Sequence, residues 1–213
     1  MTVPSQLVDL SIEDIGVRLW RAIHLEEFVD GAALLRDDDP PEPPYWMHLW
    51  PGALALARRL ASVPALGPGA RLLELGCGLG LPALVAARRG ATVVASDRCR
   101  APLDFVRRSA AASGCGLELV QMDWAAPALR GGFDFCVGAD IAYDAAAEEG
   151  LVGAVERVLA PGGMLWLSDS VNTVRASLAA RLVAAGFAIE VRMVREYEDG
   201  RPVWVRVMEG RHR

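Results

Sequence analysis

The 213-residue chain carries 22 basic residues, every one an arginine, against 27 acidic ones, for a formal net charge of −5. The missing lysine excludes a Schiff-base or P-loop lysine, and the negative balance speaks against non-specific nucleic-acid binding, which needs cations facing phosphates. No apolar run reaches the roughly 18 residues of a membrane span, while the length suits one domain with a full core.

The first ten residues lack a basic segment followed by an apolar one, so no signal peptide is expected and a cytoplasmic location follows. Residues 1–45 read as a small extension packed on a main domain of residues 46–213. Within the extension, residues 5–36 are predicted to be extended over 17–23 and partly helical elsewhere. Asp37-Asp38-Asp39-Pro40-Pro41-Glu42-Pro43-Pro44 is an acidic, proline-rich break that neither a helix nor a central strand tolerates. A helix is predicted over 50–61, with Pro51 at an early position.

From residue 70 onward, short β-like runs alternate with helical patterns, the signature of a mostly parallel sheet. Strands are predicted at 70–75, 92–96, 117–122, 133–139 and 164–168, and helices near 81–89, 101–113, 146–159 and 171–185. Gly90, Gly114, the pair Gly162-Gly163 and Gly186 fall where helix ends or turns belong. Segments 187–197 and 202–208 flank Asp199-Gly200, a hairpin signal.

Cys77, Cys99, Cys115 and Cys136 are far apart and form no CxxC, and His24, His48 and His212 belong to no metal motif, so no metal site is expected. The chemistry concentrates after the first strand of the alternating region. There Glu74-Leu75 leads into Gly76, Cys77, Gly78 and Gly80 at a strand-to-helix turn that brings bare N–H groups close to a ligand. A dinucleotide fingerprint wants a third glycine where this chain has Leu81, and Pro82 removes one N–H that a pyrophosphate would use. A carboxylate at Glu74 repels a diphosphate and suits a ligand bearing an ammonium and a sulfonium.

Asp97, at the end of the second strand, can accept from both ribose hydroxyls of either ligand class, or cap a helix. Asp123 and Trp124 follow the third strand, where a carboxylate and an indole can take an adenine amine and face; Trp124 as core packing is the alternative. Ala139, Asp140 and Tyr143 follow the fourth strand. Asp140 and Tyr143, three apart, can both address one acceptor atom, with the carboxylate attracting a cationic amine; otherwise Asp140 caps a helix.

These residues resemble class I S-adenosylmethionine-dependent methyltransferases, and more narrowly the seven-β-strand protein-lysine methyltransferases of family 16. Bacterial relatives of the electron-transfer flavoprotein β-subunit lysine methyltransferase are similar as well. The likeness covers roughly residues 43–186. It implies a Rossmann-like α/β fold: a seven-stranded, mostly parallel sheet with helices on both faces and a C-terminal antiparallel hairpin. It also implies that Trp50, Gly76 to Gly78, Asp97, Trp124 and Ala139 border S-adenosyl-L-methionine, while Asp140 and Tyr143 border the acceptor amine. After the fifth strand the flavoprotein-type enzymes carry Asp-Pro-Gly-Arg, and this chain departs from them with Ser168-Asp169-Ser170-Val171. Glu42-Pro43-Pro44-Tyr45 echoes a base-methylating motif but follows no apolar strand, and reads as a turn leading aromatics over the cofactor pocket. A monomer acting on a lysine-bearing protein is the expected enzyme, with a small-molecule N- or O-acceptor as the other reading.

Overall fold

A computed structural model describes residues 3–23, 44–142, 147–170 and 176–212. Two strands come first, β1 (Ser5–Ile12) and β2 (Ile15–Ala22), followed by α1 (Pro51–Ala61), β3 (Arg71–Glu74) and α2 (Leu81–Arg88). Next are β4 (Thr92–Asp97), α3 (Arg100–Ser113), β5 (Glu118–Gln121), β6 (Phe133–Ala139) and α4 (Ala147–Val158). The chain ends with β7 (Leu159–Ser170), α5 (Ala176–Ala184), β8 (Phe187–Glu198) and β9 (Arg201–His212).

Seven strands form one sheet in the order β5-β4-β3-β6-β7-β9-β8. Strands β3 to β7 pair in parallel, and β9 runs antiparallel to both β7 and β8. Period-2 alternation sends successive side chains to opposite faces. Leu72, Val93, Phe135 and Val137 join α1, α2 and α3 in one buried cluster, whereas Leu73, Val94 and Cys136 join α4 and α5 in the other. Both faces of the central strands are therefore covered, as an all-parallel core requires. The order reverses between β3 and β6, and the crevice beyond their carboxyl ends is where such sheets bind ligands.

The structure corrects three sequence expectations. The stretch expected to be extended over 17–23 lies largely in β2, but the helical part expected within 5–36 has no counterpart in 5–23, and residues 24–36 lie outside the described residues. Residues 5–12 instead add β1, paired with β2 as a hairpin from Ser5↔Ala22 to Ile12↔Ile15. Its docking is tertiary: Ser109 and Ser113, one turn apart on α3, accept the backbone N–H of Trp20 and Arg18 at 2.9 Å each. The Arg108 guanidinium lies 3.9 Å from the Trp20 ring centroid. Second, β7 begins at Leu159, and Gly162-Gly163 lie inside the strand, where the β6–β7 register shifts between Phe133↔Leu159 and Phe135↔Met164. Three more residues separate these pairs on β7 than on β6, so the glycines sit in an irregular stretch of the ladder. Third, β9 runs on to His212, four residues past the predicted end. The start of the helix predicted over 171–185 lies outside the described residues, as does residue 146. At the hairpin tip, Asp199 (φ 48°) and Gly200 (φ 75°) are both left-handed, as a tight two-residue hairpin turn demands.

Replacing Ser109 and Ser113 together by alanine removes three hydrogen bonds of about 1 kcal/mol each, the third from the Ser113 hydroxyl to the Arg18 carbonyl at 3.1 Å. The β1–β2 amides should lose hydrogen-exchange protection while those of β3, β4 and β6 keep theirs.

Candidate active site

Residues 75–80 leave β3 as a loop pinned on both sides. Leu75 N–H donates to the Val137 carbonyl on β6 (2.8 Å) and Cys77 N–H to Ser96 on β4 (2.9 Å). Gly76, Gly78 and Gly80 all have positive φ (57°, 50° and 72°). At two of them space is as restrictive as the backbone. A Cβ on Gly80 would lie 2.6 Å from Val106 Cγ2, and one on Gly76 would lie 2.7 Å from Ile141 Cγ2 and 3.2 Å from Trp124. The loop can lie this close to α3 and to the β6 end only with glycine there.

Glu74 is a correction to the sequence reading. Its carboxylate is 1% exposed, does not line the cavity, and accepts the N–H of Ala83 in the first turn of α2 (2.9 Å). Burial pushes its pKa up to about 8, with the Asp97 charge adding to the rise and the Ala83 N–H opposing it. Of the first three residues of α2, Pro82 has no N–H and that of Ala83 is taken. The helix start is thus a poor diphosphate site, by occupation from within rather than by repulsion across a pocket.

The cavity at the carboxyl ends of β3, β4 and β6 has a volume of about 590 Å3, within the range of small-ligand sites. Gly76, Cys77, Gly78 and Gly80 form its floor, and Asp97, Asp123, Trp124, Ala139, Asp140 and Trp50 stand around it. Asp97 accepts Gly78 N–H on Oδ2 (3.1 Å) and Cys99 N–H on Oδ1 (2.9 Å). Each oxygen keeps a lone pair for a further donor. Burial pushes the Asp97 pKa up, and the N–H groups of Cys99, Gly78 and Arg98 hold it back. Asp123 accepts Ala125 N–H (2.9 Å), which fixes the turn that presents Trp124. The Cys77 thiol is raised well above its ordinary pKa by burial and by the Glu74 and Asp97 charges, so it stays protonated.

Asp140 borders the cavity, but its carboxylate is turned into the fold. It has φ 52°, and its N–H donates to the Ser168 carbonyl (2.8 Å). Oδ1 accepts both the N–H (2.7 Å) and the hydroxyl (2.6 Å) of Ser170. Oδ2 is buried and has no hydrogen-bond partner of ordinary geometry, and a Cβ on Gly52 would lie 2.1 Å from it. Ser168 Oγ donates to the Gly52 carbonyl (2.9 Å), so the carboxylate is wedged between β7 and the first turn of α1. Burial raises its pKa, the Ser170 donors and Gly52 N–H lower it, and Glu198 raises it further. The carboxylate thus presents the cavity with charge rather than with a free, exposed oxygen. Tyr143 lies outside the described residues.

Several wall residues were missed as individual site residues. Ile141, Arg98, Cys99 and His48 line the cavity, and none has a motif of its own; position beside Asp140, Asp97 or Trp50 was the available signal. Tyr45 and Trp46 come from the segment read as an aromatic turn, and a 3-10 turn (Tyr45–Met47) carries them. Trp50 Nε1 donates to the Tyr45 carbonyl (2.9 Å), and the His48 ring stands edge-on to Trp50 at 4.7 Å. His48 Nε2 meets Glu198 Oε1 at 2.9 Å, tying this wall to the tip of the β8–β9 hairpin.

Two measurements check this geometry. Between about pH 4.5 and 8 the unfolded chain releases the Glu74 proton before the folded one, so stability should fall as pH rises, by up to about 4–5 kcal/mol. Glu74→Gln has no proton to release, and its melting temperature should be flatter than wild type across this window. An equal slope in both proteins contradicts the burial argument. Gly80→Ala must push Val106 aside in a backbone region that disfavours side chains, and should cost about 2–3 kcal/mol in urea unfolding.

A family model described as a methyltransferase domain matches residues 73–167. The electron transfer flavoprotein beta subunit lysine methyltransferase of Danio rerio is 36% identical over 118 residues, covering 53% of this chain and 44% of that one. A histone-arginine methyltransferase of Xenopus laevis is 29% identical over 147 residues, or 65% of this chain and 63% of the relative. The chain thus spans less than half the length of the flavoprotein-directed relatives. Among solved structures, magnesium protoporphyrin IX methyltransferase from Synechocystis with bound S-adenosylmethionine shares the fold at 19% identity and a TM-score of 0.61, covering 76% of this chain and 78% of that one. A T. thermophilus 16S rRNA methyltransferase in complex with AdoMet and guanosine shares it at 19% identity and a TM-score of 0.68, over 100% of this chain and 52% of that one. The glycine loop and the strand order agree with these likenesses: residues 73–167 match a methyltransferase domain, and the sheet shares the fold of solved methyltransferases with S-adenosylmethionine bound.

Proposed function

We propose that this chain methylates the side-chain nitrogen of lysine in a protein substrate. One observation carries the reading: the mouth of the cavity is an aromatic wall backed by carboxylates. Tyr45, His48 and Trp50 form the wall, with the Tyr45 and Trp50 ring centroids 6.2 Å apart. Glu198 stands on His48 at the rim, and its charge reaches Asp140. Asp140 in turn reaches Asp169, whose pKa is pushed up to about 6 by burial, by the Asp140 and Glu148 charges, and against the pull of Arg206. Aromatic faces and carboxylates together attract an alkylammonium. Relatives named as lysine and histone-arginine methyltransferases support an amine or guanidine nitrogen on a protein.

The cavity suits S-adenosylmethionine by its donor set. Asp97 has lone pairs left for two ribose hydroxyls, Asp123 and Trp124 would hold an adenine, and Gly76 to Gly80 would let the amino-acid end approach the backbone. When bound, the cofactor supplies an electrophilic methyl group on a sulfonium sulfur. Everything else is alignment and exclusion of water by the chain. Trp46, packed edge-on against Phe105 at 5.2 Å, also lines the cavity. A lysine acceptor must lose a proton before it attacks, at a cost of about 4–5 kcal/mol at neutral pH. The negative field of Asp140 and Glu198 opposes that loss, so these groups recruit and orient the ammonium. Proton release goes to water before the mouth closes.

Incubating the protein with methyl-labelled cofactor in host lysate should label discrete protein bands that yield methyl-lysine on hydrolysis. Label confined to small molecules overturns the lysine reading in favour of a small acceptor. Asp140→Asn should cut protein labelling roughly tenfold, equivalent to about 1.4 kcal/mol, while S-adenosylhomocysteine affinity by calorimetry stays within about twofold of wild type. Unchanged labelling removes Asp140 from acceptor recruitment.

A further inference from the structure

Strand β8 is the outer edge of the seven-stranded sheet and is 12 residues long. Proteins normally blunt such an edge by shortening, bulging, charging or covering it, and on β8 only the charges are present along the exposed stretch. Here Glu190, Val191, Arg192 and Met193 are exposed in succession, which puts both faces of the strand in solvent. Val191 (49% exposed), Met193 (47%) and Tyr197 (56%) share one face, joined by Trp204 (57%), which stands opposite Arg195 on β9. These are four of the large apolar side chains left exposed on the described surface.

The charges on the strand are ordered symmetrically about one residue. Glu190 and Arg192 flank Val191 on the opposite face and already attract each other, at 2.9 Å. A two-fold axis through Val191 would set Glu190 of each copy against Arg192 of the other, and Ile189 against Met193, with Val191 meeting its own mate. Side chains directly opposite in an antiparallel pair lie on one face and interact. Other registers fare worse. Centring on Glu190, Arg192, Arg195 or Glu196 opposes a charge to itself, and centring on Met193 opposes Glu190 to Glu196. Centring on Val194 opposes Glu190 to Glu198 and sets Arg192 only against Glu196, which is buried and already held by Arg58. Centring on Ile189 leaves both charges without a mate.

We propose that β8 is the dimer edge of this protein, with two copies pairing antiparallel about Val191 to form one continuous sheet. The contact is isologous and closes on itself, so it ends at two copies. It lies away from the carboxyl ends of β3, β4 and β6 and depends on no reading of the acceptor.

Sedimentation velocity of the full chain from about 1 to about 100 µM should show a dimer. Arg192→Glu should weaken it roughly tenfold or more, and adding Glu190→Arg should restore it, because the swapped pairs again attract. Both residues are exposed, so unchanged thermal melts separate dissociation from misfolding. A short bismaleimide should cross-link Val191→Cys but not Met193→Cys, whose mates would stand about 14 Å apart, with the wild-type cysteines as background. A dimer indifferent to Arg192→Glu, or cross-linked through Met193→Cys, overturns the register. A monomer at every concentration overturns the dimer and leaves the edge open to an extended segment of another chain.

Discussion

The hydrogen bond from the Ala83 N–H to the buried Glu74 carboxylate ties the end of the first core strand to the first turn of α2. The ligand floor hangs between these two points. Beside it, Asp97 on β4 takes the Gly78 N–H, so neighbouring strands hold the loop at its start and its middle. Two acids placed close together inside the fold are costly, and both rise in pKa. The cost is met locally by backbone N–H groups from the loop and helix starts. That leaves the first turn of α2 tied from inside at Ala83 and the oxygens of Asp97 with lone pairs facing the cavity.

A second wedge organises the acceptor side. Asp140 joins three elements: it ends β6, takes two donors from Ser170 on β7, and presses Oδ2 against Gly52 in α1. Gly52 is the residue that makes room, and Ser168 fastens its carbonyl. Because Trp50 immediately precedes α1 as its N-cap, the same wedge sets the aromatic wall. The charge proposed to recruit an acceptor also seats the wall around it, so on that reading recruitment and enclosure share a cause.

The C-terminal hairpin serves the site and the surface through different ends. Its tip delivers Glu198 to His48, while the middle of β8 faces outward. A 12-residue hairpin strand is long enough for both. Reversal of β9 against β7 puts the tip back at the carboxyl ends of the parallel strands, where the cavity lies.

Local signals sufficed wherever the physics is local. The alternation of Leu72 and Leu73 or Val93 and Val94, the glycine turn, Pro82 at a helix start and Asp199-Gly200 at a hairpin tip each carry their own backbone requirement. From them the sheet, the cavity floor and the cofactor class were legible. Long-range partners decided the rest. Nothing near Glu74 shows that its carboxylate looks backward to Ala83, and nothing near Asp140 shows that Ser170, 30 residues on, occupies one oxygen. The β1–β2 hairpin escaped notice because Ser109 and Ser113, some 90 residues away, receive it. His48 carries no motif, since Glu198 comes to it only through the final hairpin. Sequence by itself determined which backbone turns and strands could form and which cofactor chemistry the floor accepts, because those depend on neighbours along the chain. Only the tertiary structure decided where each carboxylate points, because a buried charge takes its orientation from whichever donors folding brings within 3 Å.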